Sequence, residues 1–401
     1  MTSRPLPVRA LLLLLLTYLG FISLGLPDGM LGVAWPSMRA EFALPLDAIS
    51  KVLVVFMVGY LVATFASGWL LARMNVGMLL ALSGAATATG LLGYAYAPAW
   101  GVLVGLSLVA GLGAGAIDAG LNTYAATNYS ARTMNWLHAC YGVGAAAGPV
   151  LLTRLLESGS PWQRGYVLIG IGELVLVACF LATLSWWPKQ ASPEGNAAAS
   201  PQAPPAHASL LSSLRLKSVW LGIATFFIYT GTEAAVGTWA YTYLTQHFGL
   251  SAAEGGWWAG AYWGSLTVGR IVAGLIAGRL SAASLIRGGA WMILAGALLA
   301  ASGLGTGATI TGIMLVGFGC APIFPSLIST TPARVPAAHA ANAVGFQIAA
   351  ATLGISLVPS AAGYLAQNQG LQIIPCLWLG AAVGLMVLLS ILLGRKPAQQ
   401  G

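Results

Sequence analysis

Long runs of apolar residues, each broken by a short polar or charged turn, recur along almost the whole chain. The runs are apolar on every side, not striped on one face, which is the pattern of helices surrounded by lipid or by other helices. Crossing the hydrocarbon core takes about 20 such residues. Read this way, the first half holds six spans, at about 9–36, 47–72, 77–97, 100–126, 134–156 and 163–187. The second half holds six more, at about 218–246, 252–279, 283–304, 308–330, 338–366 and 371–394. Between them, residues 188–207 are rich in Pro, Ala, Ser and Gln, a composition that makes a flexible connection and not a span. The pattern predicts an all-α membrane protein of twelve transmembrane helices in two six-helix pseudo-repeats. Its parts are an N-terminal half (1–187), a cytoplasmic linker (188–217) and a C-terminal half (218–401).

The halves share local features at a nearly fixed offset. Gly68 to Arg73 ends the second span as Gly274 to Arg279 ends the eighth. The same offset carries Asp118 onto Phe324, and a shift one residue shorter carries Asp28 onto Glu233. In architectures built from such repeats, the solute site lies near the membrane midplane, where the repeats meet.

Composition strengthens the membrane reading. Of 401 residues, 58% are hydrophobic and only 6% charged, against about 25% charged in ordinary soluble domains. The net charge of +8 reflects orientation, because the basic residues stand singly in loops with no aromatic-interleaved basic run that would suit nucleic acid. Twelve basic residues fall on one side and four (Arg39, Lys51, Arg154, Arg164) on the other. The excess marks the cytoplasmic side and places both termini there, in a bacterial-type inner (cytoplasmic) membrane. The leucine-rich N-terminus continues into the first span without a small-residue cleavage pattern, so it reads as a retained helix. Cys140, Cys179, Cys320 and Cys376 form no CxxC pair and no zinc spacing, and are expected to pack as small buried hydrophobes.

Charged groups inside apolar spans mark function by default. Asp28 sits in LGLPDGMLG, between Pro27 and Gly29. Asp118 and Asn122 are four apart in GLGAGAIDAGLN, hence on one helix face. Asn135, His138 and Tyr141 form one stripe at the start of the fifth span, an amide, an imidazole and a phenol suited to a hydroxyl-rich ligand. Gly144 and Gly148-Pro149 predict close helix packing and a bend. Glu173, in the sixth span, has no evident partner and is placed outside the site. In the second half, Glu233 shares a face with Gly237, Trp239 and Trp263 are candidates for stacking on a solute ring, and Gln347 is a neutral hydrogen-bonder. Arg270 lies inside the eighth span, about 13 Å above Arg279, and needs a partner. Glu233, Asp118 and Asp28 are the candidates.

Several of these stretches together resemble one family, the fucose–galactose–glucose/proton symporter (fucose permease-like) branch of the major facilitator superfamily. The resemblance rests on GLGAGAIDAGLN, with Asp118 where that family commonly has Glu. It rests further on Gly231, Glu233, Gly237 and Trp239 in the seventh span, on Tyr262, Trp263, Gly264, Gly269 and Arg270 in the eighth, and on Phe324-Pro325 in the tenth. It covers nearly all the chain outside the linker and tail. The chain departs from the pattern at Ala72, where the superfamily signature has an acidic residue, and at His138, where fucose permease has Gln. By this resemblance Asp28 and Asp118 are the proton-coupling pair. From their chemistry, Asn122, Asn135, His138, Tyr141, Glu233, Trp239, Trp263 and Gln347 are expected to form the solute site. Arg270 serves in gating or as a charge partner.

The expected function is therefore proton-coupled symport of a monosaccharide or similar small polar solute by alternating access. The alternative is a proton-coupled antiporter exporting drugs or metabolites, suggested by Gly148-Pro149 and the aromatic content. A non-transporting membrane receptor is the remaining class. No nucleophile–base pair, metal cluster or phosphate loop supports an enzyme. No cofactor or metal is expected. The coupling ion is H+, with Na+ as the alternative, and the partners are a small solute and the lipid bilayer, with no nucleic acid. The chain is expected to act as a monomer.

Overall fold

The computed structural model describes residues 8–129, 131–187 and 208–394, without the side chains of residues 131, 132 and 135. All regular structure among them is helical. The chain divides into two compact units, Met1–Phe42 with Lys51–Ala198, and Ala43–Ser50 with Ala199–Gly401. Eleven stretches among the described residues are long and apolar enough to cross a membrane. A further long helix, Ala252–Ile276, carries tryptophans, glycines and Arg270 and is not among those eleven.

The first unit holds six helices: α1 (Val8–Glu41), α2 (Ile49–Leu71), α3 (Val76–Tyr96), α4 (Trp100–Asn128), α5 (Ala131–Glu157) and α6 (Gln163–Ala182). Glycines decide which of them touch. Cβ atoms placed at Gly25 and Gly29 of α1 would overlap the backbone carbonyls of Tyr141 and Ala145 on α5. Cβ atoms placed at Gly144 and Gly148 of α5 would overlap the carbonyls of Ile22 and Leu26 on α1. Only glycine permits this two-way backbone contact, so the close packing expected at Gly144 and Gly148 is present, with α1 as the partner. α2 and α4 meet in the same manner, through Gly59 against Leu108 and through Gly111 and Gly115 against Phe56 and Tyr60. Leu79, Leu80, Ile117, Leu121 and Phe180 form part of the apolar core beneath these contacts.

The second unit repeats the plan. After a short helix α7 (Leu210–Leu214) come α8 (Lys217–Gln246), α9 (Ala252–Ile276), α10 (Ala282–Ala301), α11 (Thr306–Cys320), α12 (Ile323–Thr330), α13 (Ala340–Gln369) and α14 (Ile373–Gly394). α8 and α13 stand as α1 and α5 do, with Gly354 against the Phe227 carbonyl. α10 and α11 interlock through Gly289, Gly296, Gly312 and Gly319, each backing onto a glycine carbonyl of the other helix. The expected tenth span is two helices, α11 and α12, divided at Ala321-Pro322. Pro322 cannot donate a backbone hydrogen bond, and Pro325 falls in the tolerant first turn of α12.

Two boundaries differ from the sequence reading. The first helix runs to Glu41, through Pro27 and Pro36, and not to about residue 36. The end of the expected linker is ordered. The Ala208 amide donates to the Ala338 carbonyl at 3.1 Å, and the Asn342 amide donates to the Ala208 carbonyl and to the Ser213 hydroxyl at 2.8 and 2.9 Å. Ser209 caps α7 by accepting from the Ser212 amide. Residues 46–48 also belong to the second unit, where the Leu46 amide donates to the Gln367 side chain on α13.

Candidate functional site

Within the first unit, four helices bring two carboxylates and two phenols into one cluster. Asp118 projects from α4. Tyr60 on α2 donates to its Oδ2 at 2.6 Å, and the Asn122 amide, one turn along, donates to its Oδ1 at 2.9 Å. Asp28 projects from α1 and accepts from the Tyr141 hydroxyl on α5 at 2.8 Å. Tyr60 interacts electrostatically with Asp28 and Tyr141 as well as with Asp118, and the two carboxylates act on each other. Among the described residues, no lysine or arginine pairs with either acid. Asp28 is exposed and Asp118 half-buried, so both remain reachable. All donors to these acids are neutral. If ionised, they would place two uncompensated charges in an apolar span, which costs several kcal/mol per ion, roughly. Binding one proton removes one of those charges.

The local sequence explains the geometry. Gly115 lies three residues before Asp118, and Gly25 three before Asp28. Each glycine seats the backbone of the tyrosine that reaches the aspartate, Tyr60 on Gly115 and Tyr141 on Gly25. Glycine spacing thus sets which helices are close enough for the phenols to reach.

His138 is exposed, with its ring edge against Phe21 at a centroid separation of 5.5 Å. The side chain of Asn135 lies outside the described residues.

In the second unit, the partner of Arg270 is Glu233, with Nη2 and Oε1 3.7 Å apart. Their side chains are 21% and 15% exposed. Tyr229 donates to the other Glu233 oxygen at 2.7 Å and lies 3.1 Å from the Cys320 carbonyl. Tyr262 donates to the Glu233 backbone carbonyl at 2.7 Å, fixing α9 against α8 at this level. Phe324 packs edge-on against Phe226 and tilted against Tyr229. Trp263 lies over Gly237, and its buried indole N–H has no acceptor among the described residues.

Two expected solute ligands sit in helix contacts. Trp239 is fully buried, donates to the Pro359 carbonyl at 2.9 Å, and rests on Gly363. Gln347 is buried, its carbonyl accepts from the Thr331 hydroxyl at 2.8 Å, and its amide faces Gly222. Both pack α13 against its neighbours. Glu173, left out of the site, is 1% exposed, with both carboxylate oxygens unpartnered. Cys376 is exposed on apolar α14, not buried as expected. Tyr60 is the member of this cluster that sequence reasoning missed. It is a single phenol in an apolar run, and its partner is 58 positions away. The only local signal is Gly59 beside it.

Comparison with known proteins agrees with this architecture. Bypass of stop codon protein 6 of Saccharomyces cerevisiae is 25% identical over 392 residues, covering 90% of this chain and 79% of that protein. The solved structure of the nucleoside transporter NupG has a TM-score of 0.69 at 16% identity, covering 97% of this chain and 100% of that one. That of FucP, in the outward conformation, has a TM-score of 0.66 at 16% identity, covering 96% and 99%. At these identities the structural likeness speaks for the fold. The Major Facilitator Superfamily profile matches residues 17–359 and 221–401. The match runs through both helical units, and the chain belongs to the Major Facilitator Superfamily.

Proposed function

We propose that this chain is a proton-coupled carrier that imports a neutral, hydroxyl-rich solute, a monosaccharide or a compound bearing one, by alternating access. The observation that carries the reading is the Asp118 carboxylate, held only by the neutral donors Tyr60 and Asn122. A carboxylate so placed can take up and release a proton where a salt-bridged one could not do so as readily.

The second unit supports a neutral solute. Arg270 and Glu233 offset each other's charge, yet the guanidinium makes no hydrogen bond among the described residues. Its donors, the Trp263 N–H and the oxygens of Glu233 are complementary to hydroxyl groups, which both donate and accept. Asn122, His138 and Tyr141 extend the same chemistry in the first unit. The superfamily fold, shared with the nucleoside transporter NupG and with FucP, accommodates such a role. Residence in the cytoplasmic membrane, with both termini inside, follows from the distribution of Lys and Arg.

Purified protein tests the reading in a thermal-shift panel of L-fucose, D-galactose, D-glucose, uridine and tetraphenylphosphonium, each with a pH step. Stabilisation by a hydroxylated solute, together with a pH-dependent affinity, is the expected result. Stabilisation by the lipophilic cation with the sugars inert would replace import with export.

A further inference from the structure

We infer that Tyr60 and Tyr141 are positioning residues for proton coupling, each reading the protonation state of one aspartate and passing it to a neighbouring helix. The inference rests on the proposed proton-coupled function and extends it to residues that do not themselves exchange protons with solvent.

The geometry is the same twice over. In each case a glycine lies three residues before the aspartate, Gly115 before Asp118 and Gly25 before Asp28. In each case the backbone of a tyrosine on another helix rests on that glycine. In each case the hydroxyl of that tyrosine donates to the aspartate, at 2.6 Å from Tyr60 and 2.8 Å from Tyr141. The backbone contact fixes the tyrosine Cα, so the phenol reaches the carboxylate without freedom to drift. A phenol held there is a donor committed to a carboxylate, an interaction stronger than one between neutral groups.

Proton uptake changes what the phenol faces. An ionised carboxylate only accepts, and the tyrosine proton must point at it. A protonated carboxyl gains an O–H of its own, so one of its oxygens becomes a donor and the phenol oxygen can accept instead. No covalent bond beyond the transferred O–H forms or breaks. The exchange of donor and acceptor reaches a second helix each time, because Tyr60 on α2 bonds to Asp118 on α4 and Tyr141 on α5 bonds to Asp28 on α1. Tyr60 also lies within electrostatic reach of Asp28, so the two pairs act together. Groups facing the cluster are the two aspartates, the two tyrosines and Asn122, joined by Tyr94 of α3 and Tyr166 of α6 within electrostatic reach of Asp28, with no cation paired to the acids among the described residues.

The test uses the full chain reconstituted in liposomes, with Tyr60→Phe and Tyr141→Phe, and Tyr96→Phe as control. Tyr96 is exposed at the end of α3, and its hydroxyl makes no hydrogen bond among the described residues. A pH-induced infrared difference spectrum comes first. In the wild type, a tyrosine ring-mode change should accompany the carboxylate signal, each variant should lose part of it, and Tyr96→Phe should keep it. Transport of labelled L-fucose, D-galactose and D-glucose comes second. Proton-driven accumulation should fall about tenfold or more in each variant, while solute counterflow stays within about twofold in Tyr60→Phe, whose hydroxyl is not among the solute ligands. Retention of the full tyrosine signal in both variants would overturn the inference, as would equal loss of counterflow and accumulation in Tyr60→Phe. The infrared arm needs no solute, so failure to transport all three sugars would refute the solute reading and leave this one to be decided spectroscopically.

Discussion

Arg270 and Glu233 face each other at 3.7 Å, within reach of an ion pair but beyond a hydrogen bond. Neither can be removed singly without leaving a charge mostly enclosed by protein. Arg270→Met or Glu233→Gln alone should therefore destabilise the fold by about 2–4 kcal/mol, the lower part of that range applying because both side chains retain some exposure. The double variant Glu233→Gln/Arg270→Met should recover most of the loss while remaining inactive in transport. Thermal unfolding in detergent measures the first result and liposome uptake the second. Recovery of transport in the double variant would remove the pair from the solute site.

Asp118→Asn keeps the size of the side chain and its acceptor toward Tyr60, but cannot exchange a proton. Accumulation against a gradient should vanish, while exchange of solute across the liposome membrane persists. A variant that still concentrates solute would show that the coupling proton resides elsewhere.

The glycine contacts are open to direct test. At Gly144 a side chain meets the Ile22 carbonyl, and the backbone has no room to yield. Gly144→Leu should cost about 3 kcal/mol or more and abolish folded protein on size exclusion. Gly172 has open space around its missing Cβ, and Gly172→Ala should behave as wild type.

Glu173 presents the opposite case, a buried carboxylate that makes no hydrogen bond of good geometry among the described residues, with the Ser23 hydroxyl nearby. Relieving an unpartnered buried polar group is worth about 1–3 kcal/mol. Glu173→Met, close in volume, should raise the unfolding temperature by several degrees and leave transport intact. Loss of transport with a stable fold would instead assign Glu173 a role in the cycle.

Much of the architecture was legible because lipid imposes a simple rule on sequence. Apolar runs of fixed length, and loops marked by Lys and Arg, locate the helices to within a few residues. Asp28, Asp118, Asn122 and Tyr141 were equally visible, since polar groups stand out against such runs. What sequence could not show was direction. Trp239 and Gln347 stand out in apolar helices as candidate ligands, yet their hydrogen bonds run to Pro359 and from Thr331. Whether a tryptophan or glutamine in an apolar helix fills a contact or lines a cavity depends on its neighbour across the interface. Tyr60 escaped notice for the complementary reason, because an isolated aromatic in a span is usually packing. The choice of Glu233 as the partner of Arg270 likewise required three dimensions.

The two-way seating of α1 and α5 has a further consequence. Glycines of each helix lie under carbonyls of the other at four successive points. A slide of either helix by less than a full turn would drive backbone into backbone, so the two are locked in register like meshed teeth. Asp28 rides on one member and Tyr141 on the other. Their separation is therefore insulated from any motion that carries the pair as a body. What can alter the hydrogen bond between them is chemistry arriving at the carboxylate, a proton or a solute, and not displacement of the helices that hold it.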